Sequence, residues 1–516
     1  MKLAAIDIGT NSIHMIIVEV LSQQNFDVIE REKEMVKLGA GVFATHRLSD
    51  RAFDTGLATI DRYVQLAEQV GVDQVITAAT SAIREAQNGE AFLSQVARQT
   101  GLAPKIISGR EEARLIFLAV RNSIALADEN ALVFDIGGGS TEAVIGNRRD
   151  VLFSDSLPLG VLRLLDMFED KGSVGREGRH VLESHIEFVA QQAIDQIREL
   201  GFDRVIGTSG TIRSLGEAAY RAAGGDALRS VNAETVRLKD IKALTDELLE
   251  TRLANRAKFE GISDKRADAI HLGGILLVKL LEMVEVKEII LCDASLREGM
   301  ILDYLQRHSQ EVPSFPPETN LRDRKAAQLV QKYESDWPRN QHVAELALQL
   351  FDQTQALHGY GEFERDLLKF SALFHDIGQF ISYRKHHKNS RYIINRTNPR
   401  GFTDEEILLI AMLTRYHCKS APTKKHKRFK ALSKPQRQIV QTLSGLLRIA
   451  VSLDKTKNQR VKSVSCQISK DVLTIGVVGT DNLDLEIWAA QRDRQVLAKA
   501  LNREVEIQYF GHSPAA

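Results

Sequence analysis

Two stretches of this chain are variations on one device. "LAAIDIGTNSIHMIIV", residues 3–18, and "VFDIGGGSTEAVIG", residues 133–146, each carry an apolar strand into Asp, an apolar residue and Gly. Each then passes through small hydroxylic or amide residues into a second apolar run. A Gly-rich turn between strands brings backbone N–H groups close to an anion, because a chain without Cβ can approach phosphate oxygens. The Asp ending each first strand cannot bind phosphate, but it can hold Mg²⁺ or its waters, which bridge to phosphate. One such turn reads equally well as a tight hairpin. Two copies about 128 residues apart predict two lobes sharing one ligand. Asp7 with Gly9, Thr10, Asn11 and Ser12 is expected to face Asp135 with Gly137, Gly138, Gly139, Ser140 and Thr141 across a cleft.

Around these turns strands and helices alternate, which predicts layered α/β structure, here duplicated. Strands "KLAAIDIG", "SIHMIIVEV" and "FDVIER" precede a helix over 49–70, strand "QVITAAT", a helix near 89–100, strand "PKIIS" and a helix from Glu111. The second copy continues through helices around 176–200, strand "DRVIGTSGT" and strand "EIILCDASLREG". Pro-rich "VPSFPPET", 312–319, reads as a linker. Beyond it the patterns are helical: Val343, Leu346, Ala347, Leu350 and Phe351 share one face. The end returns to strands, "SVSCQISKDVLTIGVV" and "NLDLEIWAA", then a short helix and "REVEIQYF". The expected domains are 1–125, 126–311, an all-α part 312–462 and a small α+β part 463–516.

Composition excludes several classes. Apolar and charged fractions of 43% and 26% are those of an ordinary globular protein. The cysteines, Cys292, Cys418 and Cys466, are widely spaced without a CxxC pair, so neither a disulfide framework nor a zinc ribbon is indicated and a reducing cytoplasm fits. No apolar run of about 18 residues exists to span a membrane. Net charge is zero, yet residues 377–453 hold sixteen Lys and Arg against Asp404, Glu405 and Glu406. That stretch, carrying +13, attracts polyanions.

"TAATSAIREAQN", "IISGREEARLIF", "VFDIGGGSTE", "GTSGTIRSL" and "LCDASLREGMILDYL" together resemble the exopolyphosphatase and guanosine pentaphosphate phosphohydrolase family, within the actin-like ATPase superfamily. The similarity runs through residues 1 to about 305 and less clearly into the helical part. It implies two actin-like (ribonuclease H-like) α/β lobes, an all-α HD-like domain and a small α+β domain. It implies Mg²⁺-dependent hydrolysis of terminal phosphoanhydrides and a homodimer. It also makes Glu112, second Glu of an EEA motif, the general base, with Glu111 the weaker candidate. On the residues alone these two are acids complementing a helix N-terminus. The resemblance further makes Glu142 a metal or water ligand and turns Arg84 toward phosphate. Ser209, Gly210 and Thr211 in "GTSGTIRSLG" either hold further phosphates or merely cap a helix.

In the helical part, His342, His375 with Asp376, and Asp454 fit the order H, HD, D of the HD phosphohydrolases, a candidate second divalent-metal site. His386, His387 and His417 lie between, where a further metal could be held. The same residues also read as polar members of a retained scaffold. Arg384, Lys385, Lys388, Arg391, Arg415, Lys419, Lys424, Lys425, Lys427 and Arg428 form the expected polyphosphate track, which would make hydrolysis processive. Exopolyphosphatase activity is therefore expected, with conversion of pppGpp to ppGpp as an alternative using the same attack. An actin-fold kinase would share the two turns but needs an acceptor pocket that the sequence does not identify. Nucleic-acid binding, with Phe380, Tyr383, Tyr392, Tyr416 and Phe429 stacking on bases, would leave those turns unexplained.

Overall fold

Both copies of the device fold as hairpins with the same register. β1 (Lys2–Ile8) pairs antiparallel with β2 (Ile13–Ser22), and Asp7 stands opposite His14. After β3 (Asn25–Glu34), β4 (Gln74–Ala79) and β5 (Lys105–Ile106), the second copy begins: β6 (Ala131–Ile136) pairs with β7 (Thr141–Gly146), and Asp135 stands opposite Glu142. Gly9 N–H donates to the Ser12 carbonyl at 3.2 Å, and Gly137 N–H to the Ser140 carbonyl at 2.9 Å, so both turns close in the same way.

The computed structural model describes residues 1–22, 25–126, 128–168, 176–225, 228, 230–308, 320–479 and 483–512. They fall into two units, Met1–Leu321 and Arg322–Ala516. The Pro-rich segment 312–319 lies outside the described residues.

In the first unit the remaining strands are β8 (Val151–Leu157), β9 (Arg204–Thr208), β10 (Thr235–Arg237) and β11 (Glu288–Leu291). One sheet runs β3-β2-β1-β4-β5, the other β8-β7-β6-β9-β11-β10. The first five positions correspond strand for strand, which is the duplicated actin-like architecture; β10 adds an antiparallel edge. The central strands β1 and β6 are nearly wholly buried, as strands covered on both faces must be.

Each sheet has its own core, one around Ile6, Val64 and Phe92, another around Phe134, Ile145 and Ile275. A third joins them through Ala5, Val18, Ile116, Val133 and Ile301. Two helices build this junction. Gly109–Arg121, which follows β5, lies against β7 and β8 of the other sheet; Leu296–Arg307, which follows β11, lies against β1 and against the first helix. Their approach is close enough that a Cβ on Gly299 would collide with the Leu115 carbonyl.

In the second unit the helices Trp337–Gln353, Glu362–Phe374, Asp404–Tyr416 and Lys434–Leu453 share one core with a sheet of order β12-β13-β14 (Val461–Ile468, Val472–Gly479, Glu504–His512). Val343, Leu346, Ala347, Leu350 and Phe351 all face it. Of the stretch expected as a strand, "NLDLEIWAA", Asp484 to Ala490 lies instead in the helix Asp484–Asp493, Leu483 is its N-cap, and Asn482 lies outside the described residues. β13 and β14 are parallel and require a crossover, and the buried set Glu486, Ala489 and Ala490 follows helical spacing. The alternation of apolar and acidic residues had masked it.

Candidate active site

Between the two sheets of the first unit opens a cavity of about 720 Å³. Both turns line it: Gly9, Thr10, Asn11 and Ser12 from one, Gly137, Gly138, Gly139 and Ser140 from the other. A Cβ on Gly138 would stand 3.0 Å from Thr10 Cβ and 3.5 Å from Asn11 N, so the close meeting of the turns requires glycine there. Thr141 is directed elsewhere, its hydroxyl donating to the Leu159 carbonyl at 2.5 Å.

Asp7, Glu112, Asp135 and Glu142 line it as neighbours, each close enough to feel the charge of another. Burial raises every one of them. Asp7 is pushed up to about 6, and Asp135 is raised further by the charges of Glu142 and Asp7. Glu112 is raised well above 4.5 by burial and then by Glu142. Glu142 is held back by the Ser140 and Ser156 hydroxyls, Ser156 Oγ donating at 2.8 Å. Asp7 Oδ1 is buried without a hydrogen-bond partner. Converging carboxylates, Glu112 and Glu142 buried and Asp7 and Asp135 half-buried, with an orphaned oxygen suit a hard divalent cation.

Glu112 and Glu111 are neighbours with opposite fates. The helix Gly109–Arg121 is capped by Ser108, whose Oγ accepts from Glu111 N at 3.2 Å. From that start Glu112 turns into the cavity, and Arg84 Nη1 reaches its Oε2 at 3.3 Å while donating to the Ile107 carbonyl at 2.9 Å. Glu111 turns away into a two-pronged pair with Arg114, 2.8 Å at each oxygen, which lowers its pKa. It does not line the cavity.

Ser209, Gly210 and Thr211 also line the cavity, but Ser209 Oγ accepts from the N–H groups of Thr211 and Ile212, each at 3.2 Å. Those donors therefore cap the helix Ser209–Ala222. Ser209 holds φ 87, a left-handed conformation uncommon for serine and frequent at functional sites.

A cationic cluster lines the same cavity, with Arg297 close enough to Asp7 to offset part of its rise, and sequence reasoning missed it. Lys33, Arg213, Lys265, Arg266 and Arg297 line the cavity, and their charges with burial bring Lys33 down to about 8. His14 is pushed down to about 2 by burial and by Arg297, Lys33 and Arg266, so it is neutral. These cations come from four separate segments spread over more than 250 residues of chain. Their only local signals were Arg213 in "GTSGTIRSL" and Arg297 in "LREG", inside motifs noted for other reasons.

The Ppx/GppA phosphatase family model matches residues 16–308, and the model of that family's domain III matches residues 321–501. The chain belongs to the Ppx/GppA phosphatase family. Among its relatives are a guanosine-5'-triphosphate,3'-diphosphate pyrophosphatase of Aeromonas hydrophila, 28% identical over 92% of this chain and 91% of that protein. The Aeromonas salmonicida protein of the same name is 28% identical over 80% of this chain and 79% of its own length. Among solved structures, an exopolyphosphatase from Cytophaga hutchinsonii superposes with TM-score 0.56 and 26% identity, covering 60% of this chain and 98% of that one. The Aquifex aeolicus family member gives TM-score 0.51 and 29% identity over 60% of this chain and 98% of its own. As a Ppx/GppA phosphatase the chain is a hydrolase. Among the described residues no helix is long and apolar enough to cross a membrane.

Domain III does not gather the expected H, HD, D set around a cation. The guanidinium of Arg339 stands there instead, its Nη1 on Asp376 and its Nε 3.0 Å from Asp454 Oδ2. His342 feels the charge of Asp454, but its buried Nε2 finds no hydrogen-bond partner among the described residues. A fixed organic cation bridges the two carboxylates that a metal would bridge, so the residues present do not fit a metal between them.

The basic stretch is mostly surface. Arg384, Lys385, Lys388, Lys419, Lys424, Lys425, Lys427 and Arg428 are exposed; Arg391 and Arg415 are half-buried. Arg391 is lowered by burial and then by the charges of Arg428 and Arg415, which places these three together. Arg391 Nε and Arg415 Nη1 are buried and find no hydrogen-bond partner among the described residues. Of the aromatics considered for stacking, Tyr416 and Phe429 belong to the core, while Phe380, Tyr383 and Tyr392 are exposed.

Proposed function

We propose that the protein hydrolyses the terminal phosphoanhydride of inorganic polyphosphate, releasing orthophosphate, with Glu112 as general base. The observation that carries this is that one cavity is lined by the four carboxylates, by a cationic cluster and by both turns. An oligophosphate laid along it meets N–H groups and cations, while water at its terminal phosphorus meets Glu112. Water oxygen attacks that phosphorus, its proton passes to the Glu112 carboxylate, and the bridging P–O bond breaks toward the rest of the chain. Arg84, expected to turn toward phosphate, does not itself line the cavity but holds Glu112 in place through their ion pair. Lys33, Arg266 and Arg297 offset charge on the phosphates that remain.

Asp7, Asp135 and Glu142 would hold Mg²⁺, which when bound supplies charge neutralisation at the phosphoryl oxygens. The acid-poor stretch 377–453 supports a polymer over a single nucleotide, because its many exposed cations suit a substrate with many phosphates. The names of the Aeromonas relatives support the second reading, pppGpp as substrate.

The test is phosphate release from long polyphosphate and from pppGpp, with and without Mg²⁺, beside Glu112→Gln. Mg²⁺-dependent release from the polymer, reduced about a hundredfold or more by the substitution, is expected. Preferential turnover of pppGpp would replace the polymer reading. Release that survives Glu112→Gln would move the base elsewhere.

A further inference from the structure

Domain III contains a second cluster that the hydrolytic reading does not use. His386 Nε2 and His417 Nε2 face each other at 3.1 Å, and Cys418 Sγ lies 3.8 Å from His386 Nε2. The ligand atoms of all three residues are within 4.8 Å of one another. The cluster exchanges the His387 considered from sequence for Cys418.

The tautomers make this arrangement telling. His417 Nδ1 is 2.7 Å from the Thr414 carbonyl, and His386 Nδ1 is 3.1 Å from the Tyr383 carbonyl. A carbonyl only accepts, so each Nδ1 carries a proton, and in the neutral ring that ligates a metal each Nε2 presents a lone pair. Two lone pairs 3.1 Å apart repel unless a cation stands between them. His375 repeats the pattern: Nδ1 donates to the Ala372 carbonyl at 2.7 Å. Its fully buried Nε2 has no hydrogen-bond partner and lies 3.5 Å from Asp376 Oδ2. Asp376 Oδ1 in turn lies 3.5 Å from His386 Nε2. Locking imidazole through Nδ1–H to a carbonyl is how proteins orient metal-ligating histidines.

From this geometry we infer that domain III binds a zinc-class transition-metal ion through His386 Nε2, His417 Nε2 and Cys418 Sγ, with Asp376 beside the open position. With Zn–N of about 2.0–2.1 Å and Zn–S of about 2.3 Å, tetrahedral ligand edges are about 3.4 Å for N to N and about 3.6 Å for N to S. The separations here, 3.1 and 3.8 Å, need only small adjustment. A thiolate with two imidazoles selects zinc over the hard Mg²⁺ of the cavity. The site is distinct from His342 and Asp454, since Arg339 holds Asp454.

The test uses the full-length protein and zinc alone. After incubation with Zn²⁺ and desalting, the wild type is expected to retain stoichiometric zinc and to melt at a higher temperature than the chelated protein. Its Co²⁺ form should show thiolate-to-cobalt charge transfer. Cys418→Ser should abolish that band, and His386→Ala, at a partly exposed position that leaves the core intact, should weaken zinc binding by more than about tenfold. His342→Ala should leave both unchanged. Absence of retained zinc, a cobalt spectrum indifferent to Cys418→Ser, or binding lost in His342→Ala would each overturn the inference. None of these readouts depends on phosphate release, so the substrate reading can fail separately.

Discussion

Glu112 works as a base only as carboxylate, and burial with the charge of Glu142 raises its pKa well above 4.5. The acid limb of kcat/KM should therefore lie above the ordinary carboxylate range. Removing the neighbouring charge in Glu142→Gln should move that limb to lower pH, whatever it does to the rate. A pH–rate profile of the two proteins checks the sign; an acid limb unmoved by the substitution would remove Glu142 as the perturbing charge. Asp7 gives a stability counterpart. Its folded pKa is raised from 3.8 to about 6, so the folded state prefers the protonated form. The cost is absent below 3.8 and complete above about 6. At about 1.4 kcal/mol per unit this is about 3 kcal/mol at neutral pH. Asp7→Asn should thus raise the melting temperature of divalent-free protein at pH 7.5, the gain shrinking as pH falls from about 6 toward 4, while hydrolysis is lost. Calorimetry across that range measures it.

The helix Gly109–Arg121 aims Glu112, and its position depends on the crossing with Leu296–Arg307. Gly299 sits at that crossing, against the Leu115 carbonyl. Gly299→Ala forces backbone apart from backbone and should cost about 1–3 kcal/mol, with hydrolysis falling more than the fraction unfolded explains. Urea melts beside rate measurements separate the two effects. This crossing also marks how much of the site could be read beforehand. The paired strand, Asp and turn were legible because a continuous apolar run and glycine act locally. The choice between Glu111 and Glu112 was not set by the residues alone. It depends on Arg114 and Asp303 drawing one side of the helix outward, Asp303 lying on the distant partner helix. Lys33, Arg266 and Arg297 were illegible for the same reason, since no local pattern announces cations that meet only after both sheets close. Arg339 was hidden differently: one residue three positions before His342 replaces the cation that the H, HD, D order implies.

At the scale of the whole chain the charge is divided, +13 over 377–453 against an equal negative charge elsewhere. Hydrolysis of one anhydride needs only the cavity, so an acid-poor surface on the second unit matters chiefly for a ligand with many charges. A polyanion bound at several cations releases several counterions, and its affinity falls steeply with salt. Replacing Lys424, Lys425, Lys427 and Arg428 by Gln should therefore raise KM for long polyphosphate by more than about tenfold at physiological salt and flatten its salt dependence. These side chains are exposed, so folding should be unaffected. A nucleotide carries too few phosphates to engage them all, and its KM should change by less than about twofold. Steady-state kinetics on both substrates over a salt series discriminates the outcomes. A rise for the polymer alone would make domain III the determinant of chain retention. Equal rises would make the surface a general anion attractor, and no change would reduce it to a solvated face with its arginines serving the fold.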